Sequence, residues 1–393
     1  MHRLDQASRT AGLQFVGSSR VDWLAPGARP QRFARMLLVC LDHLNKRDDL
    51  DFFSAAMFVP EIAALGSSLD AIAALGPVAK QKLAALPDVT DDLVGSSIYE
   101  LLVGAACVKR GRRLSMLKED GASKTPDFRI HDLPIPAVIE CKRRLGLGQY
   151  ELAESTHIAH LYASARQHFL EHGLHAAIEA VFQVPVASVG PEDFRDAVRA
   201  LARSDEDAET TSTPWGSIAI RRLPYLDAVP GTRLFSADYL QRVFGWEVLD
   251  EWDGLVCDVD DPGRPLVRDA RNPMCLKWRS ESEEALTKKA RGLTSLIGKA
   301  LTQIPAGEAG FVYVAYAEGA RPAVADARTR HILAATANWS HRWTISVPMV
   351  VVNRLYPRAL GVGMPDLVES VLPGTPDGDP FWTGELATRV FTV

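Results

Sequence analysis

The hydrophobic period of this chain first changes near residue 112, and that change limits the possible folds more than any other feature. From Pro30 to Leu86 apolar residues recur at helical spacing. FARMLLVCLDHL places Phe33, Met36, Leu37, Val39, Cys40, Leu41 and Leu44 on one wide face. The Ala- and Leu-rich stretch that follows is broken at Pro60, Gly66 and Gly76, which predicts short helices. Asp91-Asp92 open a further helix through Ile98, Leu101, Leu102, Ala105 and Ala106. After it the runs shorten. Arg113–Leu117, Asp127–Ile130 and Ala137–Cys141 are strand candidates, separated by the turn-rich EDGASKTP and HDLPIP. Helices are then expected at 149–171, 281–304 and 326–338, with strands in HAAIEAVFQVPV, GFVYVAYA and SVPMVVVN. SDEDAETTSTP (204–214) is polar, acidic and ends in proline, so it reads as a linker or disordered loop. The fold class is α/β. Four regions are expected: a helical N-terminal region (1–88), a first core segment (89–145), an insertion or second subdomain (146–280), and a closing helix–strand unit with the C-terminal region (281–393).

Composition narrows the function. The 393 residues are 47% hydrophobic and 24% charged, which excludes a largely disordered chain. No apolar run approaches the roughly 18 residues a membrane helix needs. The start MHRLDQASRT has charges at Arg3, Asp5 and Arg9 and no apolar stretch, so the expected location is the cytoplasm. Five cysteines lie scattered without a C-x(2–4)-C pair, consistent with buried thiols in a reducing compartment. Net charge is −5, so any contact with a polyanion must be local.

One segment concentrates chemistry. Asp127 follows Pro126 at the start of a strand, and Glu140-Cys141-Lys142 ends another. In an extended chain Glu140 and Lys142 project to the same side while Cys141 faces the other. If the two strands pair, Asp127 comes next to Glu140. Two such carboxylates form a hard-oxygen site suited to Mg²⁺ or Mn²⁺. Lys142 can then hold an attacking water or stabilise charge developing on phosphorus. Between Lys109 and Arg144 there are ten Lys/Arg and five Asp/Glu, a local excess of +5. Lys109, Arg110, Arg112, Arg113, Lys124, Arg143 and Arg144, with Lys288 and Lys289 on the late helix, are the expected contacts to a phosphodiester backbone.

Pro126-Asp127 followed by Glu140-Cys141-Lys142 resembles the PD-(D/E)xK phosphodiesterase superfamily, which has the restriction-endonuclease-like fold. The resemblance covers 90–145 and 281–352. It implies a mixed sheet flanked by helices, and metal-dependent cleavage of nucleic acid, DNA ahead of RNA, in restriction, repair or phage defence. Asp127 and Glu140 would bind the metal. Glu100, on the helix before the first strand, would complete its shell. A Gln on a later helix would position the nucleophile. That Gln is Gln167 if the closing helix is 149–171, or Gln303 if it is 281–304; the second makes 146–280 a long insertion. Double-strand cleavage would call for a homodimer, and an activating ligand or partner could engage the N-terminal helices. The alternative is a catalytically silent module of the same fold that binds nucleic acid or protein.

Weaker signals are set beside these. His157, His160, His168 and His172 share one side of the 149–171 helix, and His168-x3-His172 could hold Zn²⁺, although boundary histidines are the simpler reading. The acidic run from Asp250 to Asp261 reads as a solvated hairpin or an acidic flap. With Cys275-Leu276-Lys277 downstream it would mimic a second nuclease motif, except that Cys275 stands where the acid is needed.

Overall fold

The structure is a computed structural model. It describes residues 32–45, 52–118, 125–144, 148–172, 176–202, 208–222, 252–257, 274–317, 322–339, 346–359, 365–374 and 389–391. In chain order the helices α1 (Arg32–Leu44), α2 (Phe52–Ser67), α3 (Leu69–Ala74), α4 (Pro77–Ala85) and α5 (Asp91–Lys109) come first. Strands β1 (Leu114–Met116), β2 (Phe128–Ile130) and β3 (Ala137–Arg144) follow. Next are α6 (Gln149–Glu171), β4 (Ala176–Phe182), α7 (Pro191–Ala202), β5 (Ala208–Thr213), β6 (Gly216–Arg222), β7 (Gly254–Cys257) and β8 (Met274–Ser280). The chain continues through α8 (Glu283–Leu301), β9 (Ala309–Ala317), α9 (Pro322–Trp339), β10 (Ser346–Ala359) and β11 (Pro365–Gly374).

These elements form two compact units. The first comprises Met1–Gly146, Leu293–Glu318 and Arg330–Val393; the second, Leu147–Gly292 and Gly319–Thr329. The second unit therefore runs past the boundary expected at 280 and takes back the start of α9.

In the first unit the six described strands run in the order β1-β2-β3-β9-β10-β11. β1, β2 and β3 are antiparallel neighbours; β3, β9 and β10 are parallel; β11 is antiparallel to β10. α8 leads into β9, which lies directly beside β3, whereas α6 leads into a strand of the other sheet. The helix–strand unit closing this sheet is thus α8–β9, the second of the two alternatives. β9 is buried along eight of its nine residues, as a central parallel strand covered on both faces must be.

Alternation sorts β3 onto two faces. Ala137, Ile139 and Cys141 join a core with Ile98, Tyr99 and Leu102 of α5 and with residues of α1 to α4. Val138 joins a separate core with Leu293 and Ile297 of α8 and with Val312 and Val314. The N-terminal helices therefore share one core with the sheet rather than forming a separate bundle. Gly104 allows α5 to approach: a Cβ there would lie 2.6 Å from the Phe128 ring and 2.7 Å from Leu75. Pro77 opens α4 in the first helical turn, where a missing N–H costs nothing, after Gly76 at φ +99°. The chain end is fastened by a polar relay: Tyr99 Oη donates to Asn353 Oδ1 (2.7 Å), Asn353 Nδ2 to Glu369 Oε1 (2.7 Å), and the Val390 and Phe391 N–H groups to the Glu369 carboxylate.

In the second unit the order is β5-β6-β4-β8-β7. β4 and β8 are parallel and the other pairs antiparallel. Ile158, Leu161, Tyr162, Ala165 and Phe169 of α6 pack on Ile178, Leu276 and Trp278. The segment read as a linker at 204–214 contains β5 instead. Its threonines, β-branched and suited to a half-exposed edge, pair with β6 across a two-residue turn between Thr213 and Gly216.

Candidate active site

β2 is only three residues long, so among the described residues the second half of β3 has no strand beside it on that edge. Asp127 fills the gap. It stands one residue before β2; its N–H donates to Ile139 O (3.0 Å), and its Oδ2 accepts the Cys141 N–H (2.7 Å). The carboxylate thus takes the place of the next ladder bond, which holds it against β3 beside Glu140. Glu140 is fully buried. Its Oε1 accepts from the Lys142 ammonium, the contact expected of residues two apart on one strand face. Glu100, on α5, forms an ion pair with Lys82 of α4. The structure therefore brings Asp127, Glu140, Lys142 and Glu100 together at one sheet edge.

Their electrostatics are those of an acid cluster short of positive charge. Burial, then the neighbouring Glu140, pushes the Asp127 carboxyl from 3.8 up to about 7, against the pull of the Cys141 N–H, Lys82 and Lys142. Burial likewise pushes Glu140 up to about 7, opposed by Lys142 and reinforced by Glu100. Burial draws the Lys142 ammonium down, but Glu140, Asp127 and Glu100 together outweigh it and the net shift is upward.

A divalent cation fits this set. Glu140 Oε2 is buried and has no hydrogen-bond partner, an arrangement that is costly unless something else satisfies the oxygen. The donors are carboxylate oxygens, which suit Mg²⁺ or Mn²⁺ better than zinc or copper. Asp127 and Glu140 would hold the ion, with Glu100 beside them.

Lys82 was not found by sequence reasoning. It comes from another helix, in a stretch (PVAKQKLAA) with no motif of its own, and only tertiary packing carries it to Glu100.

Several expected contacts lie elsewhere. Arg143 is on the opposite strand face, buried, with both terminal guanidinium nitrogens on Glu61 of α2 and one also on Gly95 O. It ties α2 and α5 to β3 and has no surface to offer a phosphate. Lys289 is also buried, between Glu154 and Asp253 in the second unit. Lys288 is exposed there, paired with Glu284. Lys109, Arg110 and Arg113 are exposed, and Arg112 pairs with Asp132 at 3.4 Å. They cluster where α5 ends and β1 begins, at the Ile130–Ala137 end of the hairpin. Lys109 is nine residues beyond Glu100, ~14 Å along the helix axis. This basic group is therefore not a rim around the acids. Arg144 follows the site on β3, and Lys124 lies outside the described residues.

Gln303 is not on a helix. α8 ends at Leu301, and the next turn places Ile304 against Gly310, near the Ala137–Ala309 level of the sheet. Glu140 and Lys142 register with Val312 and Val314, further along. Gln303 is not brought to the acids. Gln167 on α6 instead donates to Glu171 Oε1 (3.0 Å).

The weaker signals also resolve. His157 Nε2 pairs with Val189 O (2.9 Å). His168, Glu171 and His172 each have a ligand-type atom within 4.8 Å of the others, while His172 Nδ1 pairs with His168 O. The Asp253 side chain is buried rather than solvated, and residues 250–251 and 258–261 lie outside the described set.

Comparison with known protein families, with curated proteins and with solved structures gave no match. Among the described residues no helix is long and apolar enough to cross a membrane.

Proposed function

We propose that the first unit is a metal-dependent phosphodiesterase that cleaves nucleic acid, DNA ahead of RNA, with a restriction-endonuclease-like core. One observation carries the reading: a buried, unsatisfied Glu140 oxygen beside an Asp127 carboxylate anchored by backbone, with Lys142 on the same strand face. The arrangement of helix with acid, antiparallel hairpin, and helix followed by a strand parallel to β3 supports it.

When bound, Mg²⁺ or Mn²⁺ would supply Lewis acidity toward a phosphate oxygen and a more acidic water. The chain's own residues do the rest. Asp127, fixed by the Cys141 N–H, presents its other oxygen without rotamer search. Glu140 contributes its free oxygen and orients Lys142. Lys142, kept protonated by three carboxylates, can donate to the water or to a phosphate oxygen. One such centre would cut one strand, so a duplex break would need a homodimer.

The test is a cleavage panel on the full chain. Supercoiled plasmid, linear duplex, single-stranded DNA and RNA are each incubated with Mg²⁺, Mn²⁺ or EDTA, beside Asp127→Asn. Metal-dependent cutting lost in the variant is the expected result. Metal-independent binding without cutting, indifferent to the substitution, would favour the silent binding module instead.

A further inference from the structure

The backbone frame of the candidate site occurs a second time. In the second unit the Asp253 N–H donates to Trp278 O (2.8 Å), and Asp253 Oδ2 accepts the Ser280 N–H (2.7 Å). These are the bonds of Asp127 with Ile139 O and the Cys141 N–H, at 3.0 and 2.7 Å. Each aspartate stands one residue before the short strand of an antiparallel pair, with Phe128 opposite Ile139 and Gly254 opposite Trp278. Each longer strand has a parallel neighbour on its other edge, β9 or β4. Each is covered, on the face bearing Ile139 or Trp278, by a helix that carries a glutamate. That glutamate is Glu100 in one and Glu154 in the other, and a lysine from a different helix pairs with each.

This register aligns Arg279 with Glu140 and Glu281 with Lys142. The acid and the base have exchanged places, and they form an ion pair at 3.1 Å. The downstream motif is therefore read at Arg279-Ser280-Glu281 and not at Cys275-Leu276-Lys277.

The second difference is the lysine. Lys289 Nζ lies 2.8 Å from Glu154 Oε2 and 3.0 Å from Asp253 Oδ2, with side-chain exposures of 3%, 2% and 4% for the three residues. Its charge also lies over the Trp278 ring at 5.1 Å. Glu154 Oε1 is buried with no hydrogen-bond donor. In the first unit Lys82 is 25% exposed and can withdraw into solvent. Lys289 has no such exit.

We propose that the second unit is a cation-filled counterpart of the active centre: the Lys289 ammonium occupies, between Glu154 and Asp253, the place of a divalent ion. Removing that ammonium exposes a carboxylate site that takes Mn²⁺ or Mg²⁺. The comparison rests on the metal reading of the first unit, but the site itself does not.

The experiment counts Mn²⁺ bound per full-length chain by electron paramagnetic resonance of the free ion. The wild type is expected to bind one, and Asp127→Asn none. Adding Lys289→Met to Asp127→Asn should restore one ion per chain, and adding Glu154→Gln should remove it again, which separates this site from the His168–His172 group. Lys289→Gln should behave as Lys289→Met does. Mn²⁺ should raise the melting temperature of both lysine variants and leave their Asp127→Asn parent unchanged. Folded lysine variants that gain no ion overturn the proposal. So do variants that fail to fold even with Mn²⁺ present, because the ion would then be no substitute for the ammonium. A wild type that binds no Mn²⁺ refutes the metal reading of the first unit and leaves the outcome for Lys289 to stand separately.

Discussion

Replacing Asp127 by asparagine should stabilise the metal-free protein at alkaline pH while destroying its site. The substituted amide would keep an oxygen to accept the Cys141 N–H, so the anchoring bond survives. What disappears is a buried charge. The folded carboxyl titrates at about 7 against 3.8 for the exposed group, about three pKa units. At about 1.36 kcal/mol per unit this is a ceiling of about 4 kcal/mol. Between about pH 4 and pH 7 the folded chain holds a proton that the unfolded chain has lost, so wild-type stability falls as pH rises through that window. The penalty is complete above pH 7 and absent below pH 4. Urea denaturation in EDTA should therefore show the two proteins equal near pH 4 and the variant ahead by up to about 4 kcal/mol at pH 8. Excess Mg²⁺ should narrow the gap from the wild-type side, since an ion at 100 times its Kd adds roughly 2.7 kcal/mol to the state that binds it. A variant no more stable than wild type at pH 8 in EDTA, or a gap that does not change with pH, would refute the reasoning.

Other expectations follow from single contacts. Arg143→Met leaves Glu61 buried without its cation and should cost about 3–5 kcal/mol in thermal or urea unfolding, most of it recovered by adding Glu61→Leu. Gly104→Ala drives a methyl into Phe128 and Leu75 and should cost about 1–3 kcal/mol. Lys82→Met removes a cation that competes at Glu100, so calorimetry should show Mn²⁺ binding tightened on the order of tenfold; unchanged or weaker binding would make Lys82 a tether for Glu100. Lys142→Ala should lower turnover by about 10²–10³ with little change in Mn²⁺ affinity, and an equal loss of both would assign Lys142 to holding the acids.

What the sequence made legible was local. Asp127, Glu140 and Lys142 are placed by strand alternation and a short hairpin, and Glu100 by a helix whose apolar spacing is plain. Those rules act over a few residues. The basic cluster at 109–113 is close to Asp127 in sequence, but β1 and β2 run antiparallel, so strand direction sends it to the other end of the hairpin. Gln303 failed because α8 stops at Leu301, two residues short of it. Lys82, and the burial of Arg143 on Glu61 across 82 residues of chain, depend on helix packing that no period records. The second hairpin was missed because its partner strands are separated by residues 258–273, and the register there is set by Asp253 bonding to Trp278 and Ser280.

The most direct measurement is an anomalous difference map from crystals of the full chain soaked in Mn²⁺. A peak held by the carboxylates of Asp127 and Glu140 in the first unit, with none between Glu154 and Asp253, is the predicted result. A map with no peak at Asp127 and Glu140, or with manganese only at His168 and His172, would contradict the account.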